Sequence, residues 1–278
     1  MAPDHTPAPS PLGLIAGNGR FPFLVAQAAR RSGRRVVAVA VQEEASPDLA
    51  ADVDEFHWVG LGQLGRCISL LKTAEVHEAV MAGQIKHRQL FSGIVPDLKL
   101  LGVLARLVTR NTDSLIGGVA DALAAAGIRL LPSIALLTEE LARGGAMTRR
   151  RPSGSEEKDI AYGERIARAL AGLDLGQSVA VKEQAAVALE AMEGTDEVIR
   201  RAGRLAGAGV AVVKVSKPSQ DLRFDVPVVG LGTLAAMEEA GARVLAIDSG
   251  RTLMIERLAV EARADELGIA IWGLDPPL

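Results

Sequence analysis

The sequence predicts an α/β protein of two domains, an N-terminal Rossmann-like parallel sheet with helices on both faces and a separate C-terminal α/β domain. Three observations predict it. From Leu12 onward short apolar runs alternate with Ala-rich amphipathic segments, the pattern of a sheet layered with helices. Several of those runs stop on a glycine or proline, where a strand hands over to a turn. Between 138 and 155 the periodicity gives way to Gly144-Gly145, Arg149-Arg150-Arg151 and Ser153-Gly154-Ser155, the composition of an interdomain linker. The expected division is a disordered Pro-rich leader over 1–11, a first domain over 12–137, the linker over 138–155 and a second domain over 156–278.

Each element has its own signal. Leu12 to Ala16 is an apolar strand, and the turn Gly17-Asn18-Gly19-Arg20 leads to Pro22, a proline tolerated in the first turn of a helix running to Arg31. Arg35 to Val41 is β-branched and reads as a strand, as do Phe56 to Val59, Ala79 to Ala82 and Ile128 to Leu131. Leu64 to Lys72, Asp97 to Thr109 and Asp113 to Ala126 are helical in period. In the second half, helices are expected over Glu156 to Ala171, from Thr195 as N-cap with Asp196 and Glu197 in its first turn, over Leu231 to Ala240 and over Arg257 to Leu267. Strands are expected at Val179 to Lys182, Ala186 to Met192, Val210 to Val215, Val228-Val229, Val244 to Ile247, Leu253 to Ile255 and Ile269 to Trp272.

Composition removes whole classes of function. Of 278 residues 49% are hydrophobic but only 3% aromatic, and 31 Lys and Arg against 34 Asp and Glu leave a formal charge of −3, so no positive field draws nucleic acid. Cys67 is the single cysteine, which excludes a disulfide scaffold, fits a reducing cytoplasm and reads as a small core residue. Mean hydropathy is high at +0.22. Yet the apolar run Val226 to Met237 is broken by Pro227 and falls short of the roughly 20 residues of a spanning helix. The basic run Arg149-Arg150-Arg151 reads either as a solvated loop or as a contact for acidic lipid headgroups.

Four segments are candidates for chemistry. Gly17, Asn18 and Gly19 lie between a strand and a helix N-terminus, where glycines let a backbone approach a phosphate. The dinucleotide fingerprint fails because its third glycine falls on Pro22, although Glu43 and Glu44 imitate the ribose-binding acid; a tight turn, an NAD site and another phosphate or sugar contact all remain open. Gly83 and Gln84 follow another strand and line the same predicted edge, and Asp113 is either a helix cap or a ligand contact. Lys214 to Pro227 is the densest polar stretch, bringing Lys214, Lys217, Gln220, Asp221, Arg223 and Asp225 into a loop stiffened by two prolines. Lysine and arginine suit phosphate oxygens and carboxylates suit Mg²⁺, so this loop offers both halves of a metal-dependent phosphoryl site. Glu190 to Glu197, with Gly194, Thr195 and Asp196, is a second source of metal ligands. No H-E-x-x-H, C-x-x-C or G-x-S-x-G stands anywhere in the chain.

Taken in order, Leu-Ile-Ala-Gly-x-Gly-x-x-Pro from Leu14, Ala82-Gly83, Asp174-x-Gly176-Gln177, Glu193-Gly194-Thr195-Asp196 with Arg200-Arg201, and Lys217-Pro-x-Gln-Asp-x-Arg-x-Asp-x-Pro resemble the UDP-2,3-diacylglucosamine pyrophosphatase family of lipid A biosynthesis, the type called LpxI. The likeness runs from about Leu12 to Asp275, although Asn18 stands where the family can carry glycine and Gln84-Ile85-Lys86-His87 differs from its Asn-Val-x-Arg form. The resemblance implies hydrolysis of UDP-2,3-diacylglucosamine to UMP and 2,3-diacylglucosamine 1-phosphate (lipid X) with Mg²⁺ or Mn²⁺. It also implies a cytoplasmic homodimer in peripheral contact with the inner membrane, and apolar residues between the domains for two acyl chains. The family's catalytic aspartate falls on Asp225. On this reading Asp225 with Asp196 or Asp221 holds the metal, and Lys217 and Arg223 assist catalysis. Gly17, Asn18, Gly19, Gly83, Gln84, Asp113, Thr195, Lys214 and Gln220 then bind substrate. The alternatives are another nucleotide-sugar or NAD-dependent enzyme, and a non-catalytic nucleotide- or lipid-binding protein.

Overall fold

The computed structural model describes residues 10–85, 95–107, 112–218 and 220–275, without the side chains of Thr112 and Asp113. These residues fall into two units, one running to Leu137 and including Leu222–Phe224, the other made of Thr138–Asp221 with the chain from Asp225 on.

In the first unit β1 (Leu12–Ala16), β2 (Val36–Val41), β3 (Glu55–Val59), β4 (Glu78–Ala82) and β5 (Arg129–Leu130) form a wholly parallel sheet in the order β3-β2-β1-β4-β5. The order reverses at β1, which pairs with β2 on one side and β4 on the other, Ile15 standing level with Val39 and Met81. Every residue of β2 is buried, as a strand covered on both faces requires, and this is why it reads as an unbroken Val and Ala run. After β1, α1 (Phe21–Arg31) starts with Pro22 in its first turn and ends on Arg30 and Arg31 beside the carbonyl end of its dipole. On α2 (Leu64–Thr73), Leu64, Cys67, Ile68 and Leu71 make the buried stripe. They share a core with Val37, Val39, Leu123 and Ile128, to which α3 (Leu98–Leu104) and α4 (Thr112–Ala125) add their inner faces. The helix expected over Asp97 to Thr109 ends at Leu104, and Asp97 is its cap, accepting the Leu100 N–H at 2.9 Å. The Lys86-His87 pair, the leader up to residue 9 and Asn111 lie outside the described residues.

The second unit holds a mixed sheet built from β6 (Gly145–Ala146), β7 (Ser178–Lys182), β8 (Ala185–Leu189), β9 (Ala211–Lys214), β11 (Val244–Asp248) and β13 (Ala270–Leu274), with a small parallel pair β10 (Val228–Val229) and β12 (Leu253–Met254). Its order is β6-β13-β11-β9-β7-β8; β9, β11 and β13 run parallel, while β6, β7 and β8 are antiparallel to their neighbours. Alternation sorts the side chains onto two faces. Ala180, Val212, Leu245 and Ile271 meet Val198, Ile199 and Ala202 of α6 (Thr195–Ala206) and Leu234 and Met237 of α7 (Leu231–Ala240). On the other face Val179, Val181, Val213 and Ala246 pack against Ile160, Ala167 and Ala171 of α5 (Gly154–Gly172). A last helix, α8 (Arg257–Leu267), precedes β13.

Two expectations are corrected here. The stretch 138–155 is built into the second unit: Gly145–Ala146 pairs antiparallel with β13, and Ser153 opens α5 with a capping box shared with Glu156. Within it the basic run is an exposed loop, as one of its two readings expected: the Arg149 side chain is 82% exposed even while it pairs with Asp265 at 3.0 Å, and Arg150 pairs with Glu156 at 2.6 Å. Thr195 does not cap α6; Gly194 takes that position at φ 85°, and the Thr195 hydroxyl turns inward instead.

Candidate active site

Lys214 is the last residue of β9, and the antiparallel register sets it opposite Ser178, the first residue of β7. Both side chains point to the face covered by α6, where Thr195 begins that helix. Lys214 is 6% exposed, and its Nζ donates to Thr195 Oγ1 at 2.9 Å and to the Val228 carbonyl at 3.1 Å. The Thr195 hydroxyl lies 2.9 Å from Glu190 Oε1 and 3.1 Å from Ser178 Oγ, while the other Glu190 oxygen accepts the Gln177 N–H at 3.1 Å. Ser178, Glu190, Thr195 and Lys214 are all buried. Burial pushes the Lys214 ammonium below the ordinary lysine value, and the negative charges of Glu190, Asp196 and Asp225 oppose that shift. Among the described residues none of these carboxylates makes a direct ion pair with it. A buried ammonium with three donors and two acceptors is suited to receiving an anionic oxygen.

The loop after β9 is held at both ends. Lys217 Nζ sits 2.7 Å from Asp174 Oδ1 and 3.8 Å from Asp225 Oδ2, and Gln220 Oε1 accepts the Lys217 N–H at 3.1 Å. The Asp225 N–H donates to the Asp221 carbonyl at 2.8 Å, which closes a turn around Leu222–Phe224. Beneath the loop, Asp248 is fully buried at the end of β11 and accepts two guanidinium bonds from Arg168, at 2.6 and 2.7 Å, together with the Ser216 N–H at 2.7 Å. A fork of this kind is stiff and charge-assisted, so Ser216 is pinned to the sheet. The close pass of 175–177 over Glu190 demands a glycine: a Cβ on Gly176 would stand 2.2 Å from the Glu190 carbonyl oxygen.

Of the residues singled out by sequence, Lys214, Thr195, Asp196, Lys217, Gln220, Asp221 and Asp225 therefore gather in the second unit. Arg223 is counted with the first unit, where its carbonyl oxygen lies 2.7 Å from Ser133 Oγ and its guanidinium 5.9 Å from the Phe224 ring centre. The side chain of Asp113 lies outside the described residues. Asp248, Arg168 and Ser178 were not anticipated, because their roles come from strand register and from a pairing across 80 residues that no local pattern reveals. Glu190, expected as a possible metal ligand, is committed to Thr195 and the Gln177 N–H. Among the described residues no three His, Cys, Asp or Glu side chains are grouped to share an ion. The negative charges of Asp196 and Asp225 both reach Lys214, and carboxylates are the ligand type that Mg²⁺ takes.

In the first unit the two glycine turns are committed to each other. The Gly17 N–H donates to the Ala82 carbonyl at 2.8 Å, and Asn18 and Gln84 exchange N–H to carbonyl bonds at 2.8 and 3.1 Å. A Cβ on Gly83, whose φ is +93°, would lie 2.6 Å from the Asn18 carbonyl oxygen, and one on Gly17 would lie 2.8 Å from that of Gln84. These glycines thus permit a loop-to-loop pairing across the point where the strand order reverses, and the N–H groups of Gly17, Asn18 and Gln84 are already used. The Asn18 side chain reaches the buried Glu44 carboxylate at 3.4 Å. A dinucleotide cradle at this turn would need those same N–H groups.

Sheet, loop and buried lysine define a class: an α/β protein of two units whose second unit gathers Lys214, Lys217 and the carboxylates of Asp174 and Asp225 about the loop that follows β9. Residues 11–139 match the LpxI N-terminal domain and residues 143–272 the LpxI C-terminal domain. The chain is 31% identical over 281 residues to the UDP-2,3-diacylglucosamine pyrophosphatase LpxI of Caulobacter vibrioides, covering 95% of this chain and 98% of that one. It belongs to the LpxI family. A solved structure titled "Crystal structure of gox2253" aligns over 95% of this chain and 89% of that one at 11% identity and a TM-score of 0.32.

Proposed function

We propose that the protein hydrolyses the pyrophosphate bond of UDP-2,3-diacylglucosamine, giving UMP and 2,3-diacylglucosamine 1-phosphate in lipid A biosynthesis. The observation that carries this is the convergence of Lys214, Lys217 and Asp225 at one end of the second sheet, in a chain related along nearly its whole length to a pyrophosphatase of that substrate.

In this reading Asp225 orients the attacking water through a carboxylate oxygen. Lys217, 3.8 Å away, and the buried Lys214 meet the negative charge that grows on the phosphoryl oxygens. Arg223 adds a further cation. The Glu190–Thr195–Lys214 chain of hydrogen bonds holds the Lys214 ammonium in place, and Asp174 steadies Lys217. Mg²⁺ or Mn²⁺, held by Asp225 with Asp196 or Asp221, supplies Lewis-acid polarisation of the phosphates when bound. The first unit is Rossmann-like in this reading, its β3-β2-β1-β4-β5 order being that of a doubly wound half. Exposed Leu173, Leu175, Leu189 and Met192 flank the Gly176–Glu190 contact and suit acyl chains. The protein acts in the cytoplasm as a homodimer that touches the inner membrane peripherally.

The test is incubation with UDP-2,3-diacylglucosamine, with Mg²⁺ or with chelator, followed by mass analysis. UMP and lipid X formed only with the metal are expected. Intact substrate under every condition overturns the proposal.

A further inference from the structure

The Asp248 side chain takes over from the sheet at the point where the loop after β9 begins. β9 pairs with β11 only as far as Lys214, level with Ile247, and there the ladder stops. On the β7 side the Val215 N–H still reaches the Gln177 carbonyl at 2.9 Å, whereas the Ser216 N–H goes to Asp248 Oδ2 at 2.7 Å. The same oxygen takes Arg168 Nη1 at 2.7 Å, Oδ1 takes Arg168 Nη2 at 2.6 Å, and Glu164, one turn earlier on α5, also accepts from that Nη2 at 3.0 Å. Asp248 is fully buried and the Arg168 side chain is 22% exposed. Taking such a pair out of water costs about as much as its attraction returns, so net stability is a poor reason for having it. What the planar fork does supply is direction: two parallel bonds fix the plane of the carboxylate, and the carboxylate fixes where the chain leaves the sheet. The next residue is Lys217, whose ammonium stands 3.8 Å from Asp225 Oδ2.

We infer that Asp248 and Arg168 are positioning residues for the proposed hydrolysis: through the Ser216 N–H they set where Lys217 stands beside Asp225, without touching substrate themselves. The inference rests on that reading for the role of Lys217, and it extends the working site to α5 and to the end of β11. Lys217 is there to meet charge that grows on the phosphoryl oxygens. A displaced Lys217 therefore costs the transition state more than the bound substrate, and kcat more than KM.

The test is a double-mutant cycle on UMP release from UDP-2,3-diacylglucosamine, using wild type, Asp248→Asn, Lys217→Ala and the double variant, with thermal melting to show that each is folded. Asp248→Asn should lower kcat about 10- to 100-fold while KM stays within about threefold. In the Lys217→Ala background the same substitution should cost less than about threefold more, because the residue it acts through is already gone. Arg168→Lys, which keeps the charge but not the fork, should lie between Asp248→Asn and wild type, and it carries the cycle if Asp248→Asn does not fold. Additive losses from the two sites, a loss confined to KM, or unchanged kcat in a folded variant with a broken fork overturns the inference and leaves the hydrolysis standing. Intact substrate with the wild type overturns the hydrolysis itself, and the positioning role with it.

Discussion

Asp225 faces the Lys217 ammonium at 3.8 Å, so its carboxylate stands beside the positive charge that a pyrophosphate requires. If Asp225 has the proposed role of positioning water, replacing it with alanine should lower kcat by at least about two orders of magnitude. UMP release by folded Asp225→Ala measures this, and near-normal turnover removes the residue from the mechanism. Cys67 makes the opposite case. Burial, helped by the nearby Asp97 charge, pushes its thiol from 9.0 to about 12. Between those values the unfolded chain releases the proton and the folded chain keeps it, so the folded state binds more protons and this residue's contribution to stability falls as pH rises. Urea midpoints measured from pH 8 to pH 11 should therefore drop more steeply for the wild type than for Cys67→Ala, and the native thiol should resist alkylation until the protein unfolds. The core role of Cys67 was legible from its place in a helical stripe. That Lys214 is buried was not, because only the seating of α6 over the sheet takes it out of water.

At the scale of elements, the hairpin joining β7 and β8 shows how a distant side chain secures a turn. Glu183 and Gln184 have φ of 52° and 58°, a left-handed pair that side chains with a Cβ adopt at a cost. Asp159 on α5 compensates by accepting both of their N–H groups, at 3.1 and 2.6 Å. Replacing the pair by Asn-Gly should stabilise the protein by about 1–2 kcal/mol, read as a higher urea midpoint, because the turn then needs no strained residue. Most elements were readable in order from period and punctuation, since each carries its own stripe or apolar run. What escaped was short or paired at long range. Two residues, Gly145–Ala146, have no period to detect and become a strand only against Gly273 and Trp272. The glycine turn after β1 was visible as a turn, but its partner loop 66 positions later decides whether its N–H groups face a ligand or each other.

For the whole molecule, the 49% hydrophobic content goes chiefly into separate cores, and among the described residues no helix is long and apolar enough to cross a membrane. The chain also crosses between units more than once, since Leu222–Phe224 is counted with the first unit while Asp221 and Asp225 are counted with the second. A sequence reading places one boundary where the periodicity stops and has no means of seeing a three-residue return. That return is held by main-chain atoms: the Ser133 N–H donates to the Leu222 carbonyl at 2.7 Å, and the Ser133 hydroxyl lies 2.7 Å from the Arg223 carbonyl oxygen. Carbonyls do not depend on side-chain identity, so Leu222→Ala should be tolerated, while one glycine inserted between Phe224 and Asp225 should abolish UMP release from a protein that still folds. Over evolutionary time Leu222 and Phe224 are then free to drift in identity while the segment is held in length, and descendants should differ at these two positions by substitution while insertions and deletions are purged.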